Sequence, residues 1–174
     1  IIPRPTLDEV HDAIIDGEWE AFNGDEHPLF HFGPQRFDIA CARIEHYTGI
    51  EVDHVQKYIL FTNYAMHTTE FVSFGLGELS REGSKYTALT LPNGEVITRD
   101  TVEEIHGLGG VTAIDLASRF QMPRFDLTTD EGDGLTIINI GVGPSNAKTI
   151  TDCLAVLRPE AWVMIGHCAG LDAR

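Results

Sequence analysis

The sequence predicts an α/β protein whose sheet is at least partly parallel, and three observations carry that prediction. The apolar run Leu135–Ile140 passes through Gly141-Val142-Gly143-Pro144 into a helix-patterned segment, Ser145–Leu157, and then into a second apolar run, Ala161–Ile165. A helical crossover between two strands returns the chain to the same end of the sheet, so the strands of such a unit are parallel. A strand–polar turn–helix order also stands earlier, as Lys57–Phe61, Thr62-Asn63-Tyr64 and Ala65–Leu79. The third observation is composition: 174 residues, 43% hydrophobic and 22% charged, are globular values. A chain of this length buries roughly two thirds of its unfolded surface.

The elements follow in order. Leu7, Val10, Ile14 and Ile15 lie near helical spacing behind the cap Pro5-Thr6, predicting a helix over Thr6–Phe22. Gly24, Pro28, Gly33 and Pro34 make Asn23–Pro34 a loop. Phe37, Ala40, Ile44 and Tyr47 form one stripe of a helix over Arg36–Tyr47 that Gly49 stops, and core packing accounts for that stripe. Tyr86–Leu91 and Glu95–Thr98 flank Pro92-Asn93-Gly94 as a hairpin. Residues 100–110 are polar and Gly-rich, an excursion that is either a lid or unstructured. A short helix spans Val111–Phe120 before Pro123, and Asp130-Glu131-Gly132-Asp133-Gly134 is an exposed turn. It lacks the twelve-residue ligand pattern of a calcium loop. In the closing unit Ile150, Leu154 and Leu157 share a helix face, Pro159 breaks the helix, and Ala161–Ile165 is expected to be buried.

Charge narrows the partners. Twenty-seven acidic against twelve basic residues leave a net charge of −15, which argues against nucleic acid, whose affinity comes from Lys and Arg, and against an anionic membrane. A small anionic ligand needs only a few local donors. No apolar run approaches the roughly 20 residues that span a bilayer. Cys41, Cys153 and Cys168 cannot all pair and show no CxxC spacing, so neither a disulfide framework nor a structural zinc is expected, and a cytoplasmic location is the simpler reading. The histidines form no HxH or HExxH pattern, so no metal or cofactor is expected. The start at Ile1-Ile2-Pro3 reads as an excised or processed piece.

Ligands of open α/β sheets bind beyond the carboxyl ends of the strands. Here those ends are Thr62-Asn63-Tyr64, Gly141–Asn146 and Gly166–Gly170, and they converge on one crevice if the strands are neighbours. Gly141 and Gly143 let backbone approach a ligand, and the helix-start N–H groups of Ser145 and Asn146 favour an oxygen-rich group. The plain alternative is a tight strand–helix turn with Ser145 as N-cap. Neither a Walker loop nor a dinucleotide fingerprint fits, because Gly-Lys-Ser/Thr is missing and Asn146 stands where a third glycine would. Cys168 is read as packing rather than as a nucleophile, for want of a base in reach, while His167 is a candidate hydrogen-bonding ligand to a sugar or phosphate.

The stretch Ile138–Ile150, with Leu154–Pro159 and Trp162–Leu171, closely resembles the bacterial AMP nucleosidases, as do His46-Tyr47-Thr48-Gly49, Leu60–Tyr64 with Glu70-Phe71, and Gln121-Met122-Pro123. The resemblance covers roughly residues 27–174. It implies hydrolysis of AMP to adenine and ribose 5-phosphate on a nucleoside phosphorylase-like fold, a three-layer mixed sheet flanked by helices, here incomplete at the C-terminus. It also implies a homo-hexamer and an N-terminal region regulated by ATP and phosphate. Residues 1–54 would be the tail of that region and 55–174 the N-terminal part of the catalytic domain. Asn63, Gly141, Gly143, Ser145, Asn146, His167 and Gly170 would line the nucleotide pocket. Ser145 and Asn146 would meet the ribose or the water, and the 168–170 backbone would run beside adenine. Phosphorylases of this superfamily place an arginine and a serine where Met164 and His167 stand, so hydrolysis is favoured over phosphorolysis. The family's ribose-binding Met-Glu segment and its general-acid Asp lie downstream of residue 174, so this chain alone is expected to be inactive and no catalytic residue is assigned within it. The rival readings are a related nucleosidase or phosphorylase, a non-catalytic nucleotide-binding module, and a sheet whose strand at 161–166 drives self-association.

Overall fold

The computed structural model describes residues 34–103 and 119–167; the expected helix over Thr6–Phe22, the loop 23–33, residues 104–118 of the excursion and short helix, and Cys168 and Gly170 lie outside them. Helix α1 spans Pro34–Thr48, strand β1 Tyr58–Thr62, helix α2 Ala65–Ser80, strand β2 Tyr86–Thr90 and strand β3 Val96–Thr98. Strands β4 (Arg124–Thr129) and β5 (Leu135–Asn139), helix α3 (Pro144–Leu154) and strand β6 (Ala161–Ile165) complete the order. The strands form one six-stranded sheet in the order β3-β2-β4-β5-β1-β6. β5, β1 and β6 run parallel, whereas β3, β2 and β4 add to that block as antiparallel neighbours. The sheet is therefore mixed, as expected.

Two apolar cores make the fold three-layered. Phe37, Ala40, Cys41 and Ile44 of α1 recur at helical spacing and pack with Ile150, Cys153 and Leu154 of α3 and with Ile59, Phe61 and Ile138 of the sheet. Phe71, Val72 and Leu79 of α2 meet Leu89, Phe125, Leu127 and Ile137 in a separate core. Each fully buried aliphatic or aromatic side chain contributes roughly 1.5–3 kcal/mol. Burial of this kind, more than helix propensity, holds the helices in place. Gly49 ends α1 with φ +80° and donates its N–H to Glu45 O at 2.8 Å. A Cβ there would lie 2.1 Å from Pro92 O, so both the left-handed conformation and the close approach demand glycine.

One strand was missed and two expectations need correction. β4 escaped the sequence reading because Arg124 and Asp126 interrupt its apolar pattern, yet both are wholly buried. The closing helix starts at Pro144 with Gly143, not Ser145, as N-cap; it ends at Leu154, and a 3₁₀ turn covers Ala155–Leu157. Proline suits the first helical position because it has no N–H to leave unpaired. β6, expected to be buried, sits at the sheet edge with Trp162, Val163 and Met164 all exposed, the last two about half so (50% and 53%). Its apolar pattern is that of a strand covered on both faces, but its register shows one neighbour, β1, among the described residues.

Candidate functional site

Register brings the three candidate loops together. Thr62 closes β1 opposite Asn139 at the end of β5 and opposite Ile165 at the end of β6. Strands lie about 4.8 Å apart, so the chain leaves the sheet at three adjacent points within roughly 10 Å, and Ile140 N–H donates to Thr62 O at 2.8 Å across one gap. Convergence of these loops, conditional in the sequence, is a property of the fold.

The β5–α3 loop is a shaped backbone turn. Gly141 has φ +65° and Gly143 φ +110°, conformations that L side chains rarely adopt. Asn139 Oδ1 accepts the Gly141 N–H at 3.0 Å, and Asn146 donates Nδ2–H to Ile140 O at 3.0 Å. The Asn146 side chain thus braces the loop, while Ser145 leaves both its backbone N–H and its exposed hydroxyl open to a ligand. No side chain caps this helix start, so its first N–H groups keep their partial positive character. Ser145 is exposed and Asn146 half-buried.

The β1–α2 loop carries the side chains. Asn63 is half-buried, and its Oδ1 is enclosed without a hydrogen-bond partner among the described residues. A buried orphan acceptor costs about 1–3 kcal/mol, so its retention is a functional signal. Gly166 packs beside it: a Cβ there would lie 3.7 Å from Asn63 Oδ1 and 3.8 Å from the Tyr64 ring. Gln56 Oε1 is likewise unpaired, but a Cβ on Gly134 would come within 2.6 Å of it and within 2.1 Å of Leu127 O. There is no room for a ligand at Gln56.

His167 is exposed at the end of β6 and meets two residues that the sequence did not single out for the pocket, Tyr64 and His67. Its ring lies edge-on to Tyr64 (centroids 5.1 Å apart, 82° between planes) and stacked toward His67 (6.1 Å, 27°), and Tyr64 and His67 meet edge to face at 5.6 Å. Thr62 Oγ1 lies 2.7 Å from His67 Nδ1 and accepts the Tyr64 N–H at 3.1 Å. The missed signal was spacing: Tyr64 and His67, three apart at the start of a helix that follows a strand end, share a face. Asn63, Gly141, Gly143, Ser145, Asn146 and His167 therefore stand on the three convergent loops, joined by Thr62, Tyr64 and His67; Gly170 lies outside the described residues.

Charge is handled elsewhere in the sheet. Arg124 donates Nε–H to Asp126 Oδ2 at 2.9 Å, Nη2–H to Glu51 O at 2.6 Å and Nη1–H to Thr48 Oγ1 at 3.3 Å, and Thr136 donates to Asp126 Oδ1 at 2.5 Å. Burial pushes the Asp126 carboxyl up, opposed by the Arg124 guanidinium and the Thr136 hydroxyl. An open cleft of about 460 Å³ lies at the opposite end of the parallel strands, beyond Thr129. Its groups pair with one another: Lys85 with Asp133 at 3.0 Å, Thr129 with Asp133 at 2.6 Å, and Arg99 with the carbonyls of Ser84 and Tyr86. Among the described residues no group of three or more His, Cys, Asp or Glu could hold a metal ion, and no helix is long and apolar enough to cross a membrane.

No protein-family model matches the chain. Over 170 residues, 97% of its length, it is 44% identical to the AMP nucleosidase of Escherichia coli K12 and equally to that of Escherichia coli O157:H7. The chain spans about a third (34%) of the length of these relatives. A solved structure of AMP nucleosidase from Bacteroides thetaiotaomicron VPI-5482 aligns at TM-score 0.49 and 22% identity, covering 79% of this chain and 42% of that one. The resemblance carried by the loop motifs extends over nearly the whole chain.

Proposed function

We propose, taking 44% identity to AMP nucleosidases over nearly the whole chain as the premise, that the protein carrying this chain hydrolyses the N-glycosidic bond of AMP. Water adds to C1′ of the ribose, the bond to adenine N9 breaks with its electron pair, and adenine and ribose 5-phosphate leave. The transition state is oxocarbenium-like, so the departing base must take up a proton from an acid. In this reading that acid and the ribose-binding Met-Glu segment come from parts of the protein outside this chain, which spans 34% of the length of its relatives. The loops at Asn63, Gly141–Asn146 and Gly166–His167 supply part of the pocket.

Each group has a chemical task in this reading. Asn63 Oδ1, enclosed and unpaired, accepts a hydrogen bond from a ribose hydroxyl or the adenine amine. Gly141 and Gly143 present backbone at close range, and the uncapped N–H groups at the start of α3 meet an oxygen of the ribose or the water. His167 lends a ring nitrogen from β6. Met164, whose side chain has no donor, occupies in this reading a place where phosphorylases keep a phosphate donor, which favours water over phosphate as nucleophile. The finer points of the same reading are residues 1–54 as the tail of a regulatory region, 55–174 as the beginning of the catalytic domain, ATP and phosphate as effectors, a homo-hexamer and a cytoplasmic location.

The orphan acceptor of Asn63 at the convergence of three strand ends is the structural observation that carries this assignment. The test incubates the protein with AMP, with and without inorganic phosphate. Adenine and ribose 5-phosphate in equal amounts, independent of phosphate, are expected. Ribose 1,5-bisphosphate formed only with phosphate would make it a phosphorylase, and AMP binding without turnover would make it a nucleotide-binding module.

A further inference from the structure

We infer that His67 is a binding residue of this site, presenting its Nε2–H, beside His167, to an anionic phosphate oxygen. The argument starts at Thr62, which is wholly buried. Its Oγ1 accepts the Tyr64 N–H at 3.1 Å, and the acceptor that the described hydrogen bonds offer its own proton is His67 Nδ1, 2.7 Å away. A hydroxyl enclosed in a protein needs that acceptor, because an unmade bond costs the full desolvation of the group. The neutral ring therefore carries its proton on Nε2. A cationic ring carries one there as well, so His67 holds a donor at Nε2 in either state, on the ring edge away from Thr62.

His67 is half-buried and His167 exposed, and their rings stand 6.1 Å apart at 27°. Tyr64 touches both edge-on, at 5.6 Å and 5.1 Å, which fixes the two rings relative to each other. Two near-parallel imidazoles at this separation bring ring nitrogens to one small volume. Neither Lys nor Arg occurs among residues 62–67, 140–147 or 163–167, so in a chain of net charge −15 the donors these loops offer an anion are imidazole, backbone N–H and the neutral side chains of Asn63, Tyr64 and Ser145, and imidazole alone among them can become cationic. An imidazole N–H donates as a charge-assisted bond to a phosphate oxygen. Asn63 Oδ1, an acceptor, cannot serve the same oxygen, so the two sides of the site select different parts of one ligand.

The inference rests on the proposed reading for the identity of the ligand, a phosphate monoester, although free phosphate offers the same oxygens. The protein, with its complete chain, is titrated with ribose 5-phosphate, inorganic phosphate and adenosine, and the wild type is compared with His67→Ala, His67→Gln, Thr62→Val and Thr62→Ser. Gln places an amide N–H near the position of Nε2. His67→Ala is expected to weaken ribose 5-phosphate about tenfold, which is 1.4 kcal/mol, and adenosine less than twofold. His67→Gln and Thr62→Ser should recover most of the loss, and Thr62→Val should share it. Loss for ribose 5-phosphate but not for inorganic phosphate identifies the substrate's ester as the ligand; loss for both identifies a site that also takes free phosphate. Unchanged affinity for both anions in His67→Ala, or an equal loss for adenosine, overturns the inference and leaves the nucleosidase reading standing. Ribose 5-phosphate bound through His67 by a protein that does not release adenine from AMP would do the reverse.

Discussion

Two polar regions of this sheet face opposite demands, and their difference separates scaffold from site. Arg124, Asp126, Thr136 and Thr48 lie in the interior, and each buried charge meets a partner at hydrogen-bond distance. At the carboxyl ends of β1, β5 and β6, Asn63 Oδ1 is enclosed without a partner, two imidazoles stand half-buried and exposed, and a helix begins with no side-chain cap. Polar groups that satisfy one another hold a structure together. Polar groups left incomplete where three strand ends converge are candidates to hold a ligand. Gln56 marks the boundary of the rule, because its unpaired oxygen is walled in by Gly134.

The comparison breaks first in the interior. Arg124→Met strands the Asp126 carboxyl in a buried site and should cost about 3–5 kcal/mol, read as a lower denaturant midpoint. A loss under about 1 kcal/mol would mean the network holds nothing. Gly49→Ala combines a left-handed φ with a Cβ 2.1 Å from Pro92 O and should cost about 1–3 kcal/mol by the same measurement. At the open end the pattern inverts. Asn63→Ala removes an orphan acceptor, so stability should be kept or raised by up to about 1–3 kcal/mol while kcat/KM for AMP falls about tenfold or more. A matching loss of stability would move Asn63 to the scaffold.

The smallest effect concerns acid. Thr129 first, then Lys85, holds the Asp133 carboxyl below its ordinary value of 3.8. A lowered carboxyl favours the folded state above its unfolded pKa, and that contribution is lost as pH falls through the folded value. Asp133→Asn should therefore flatten slightly the decline of the denaturant midpoint below about pH 4, leaving the midpoint near pH 7 little changed. An unchanged slope would show that the surface pair contributes nothing to acid stability.

Much of this was legible in the chain. The stripe of α1, the β1–α2 order, the hairpin around Gly94 and the β5–α3–β6 crossover all rest on local pattern, and the structure forms them. β4 was not legible, because Arg124 and Asp126 look like surface residues until Thr48 and Thr136, from distant parts of the sequence, are seen to satisfy them. The position of β6 was not legible either: apolar residues on both faces of a strand do not say whether a neighbour pairs with its outer edge. For the candidate site, glycines and strand ends pointed to three loops that the fold brings together. His67 escaped because its partners, Thr62 Oγ1 and the His167 ring, are set by tertiary contact.

Adenine release from AMP by His167→Ala, beside wild type and with thermal unfolding of both, tests the central assignment most directly. If the convergent strand ends are part of the nucleotide pocket, kcat/KM should fall about tenfold or more while the unfolding midpoint is unchanged, since His167 is exposed and exposed substitutions usually alter stability by less than about 0.5 kcal/mol. Unaltered kcat and KM for AMP would remove His167 from the site and contradict its location at these three loops.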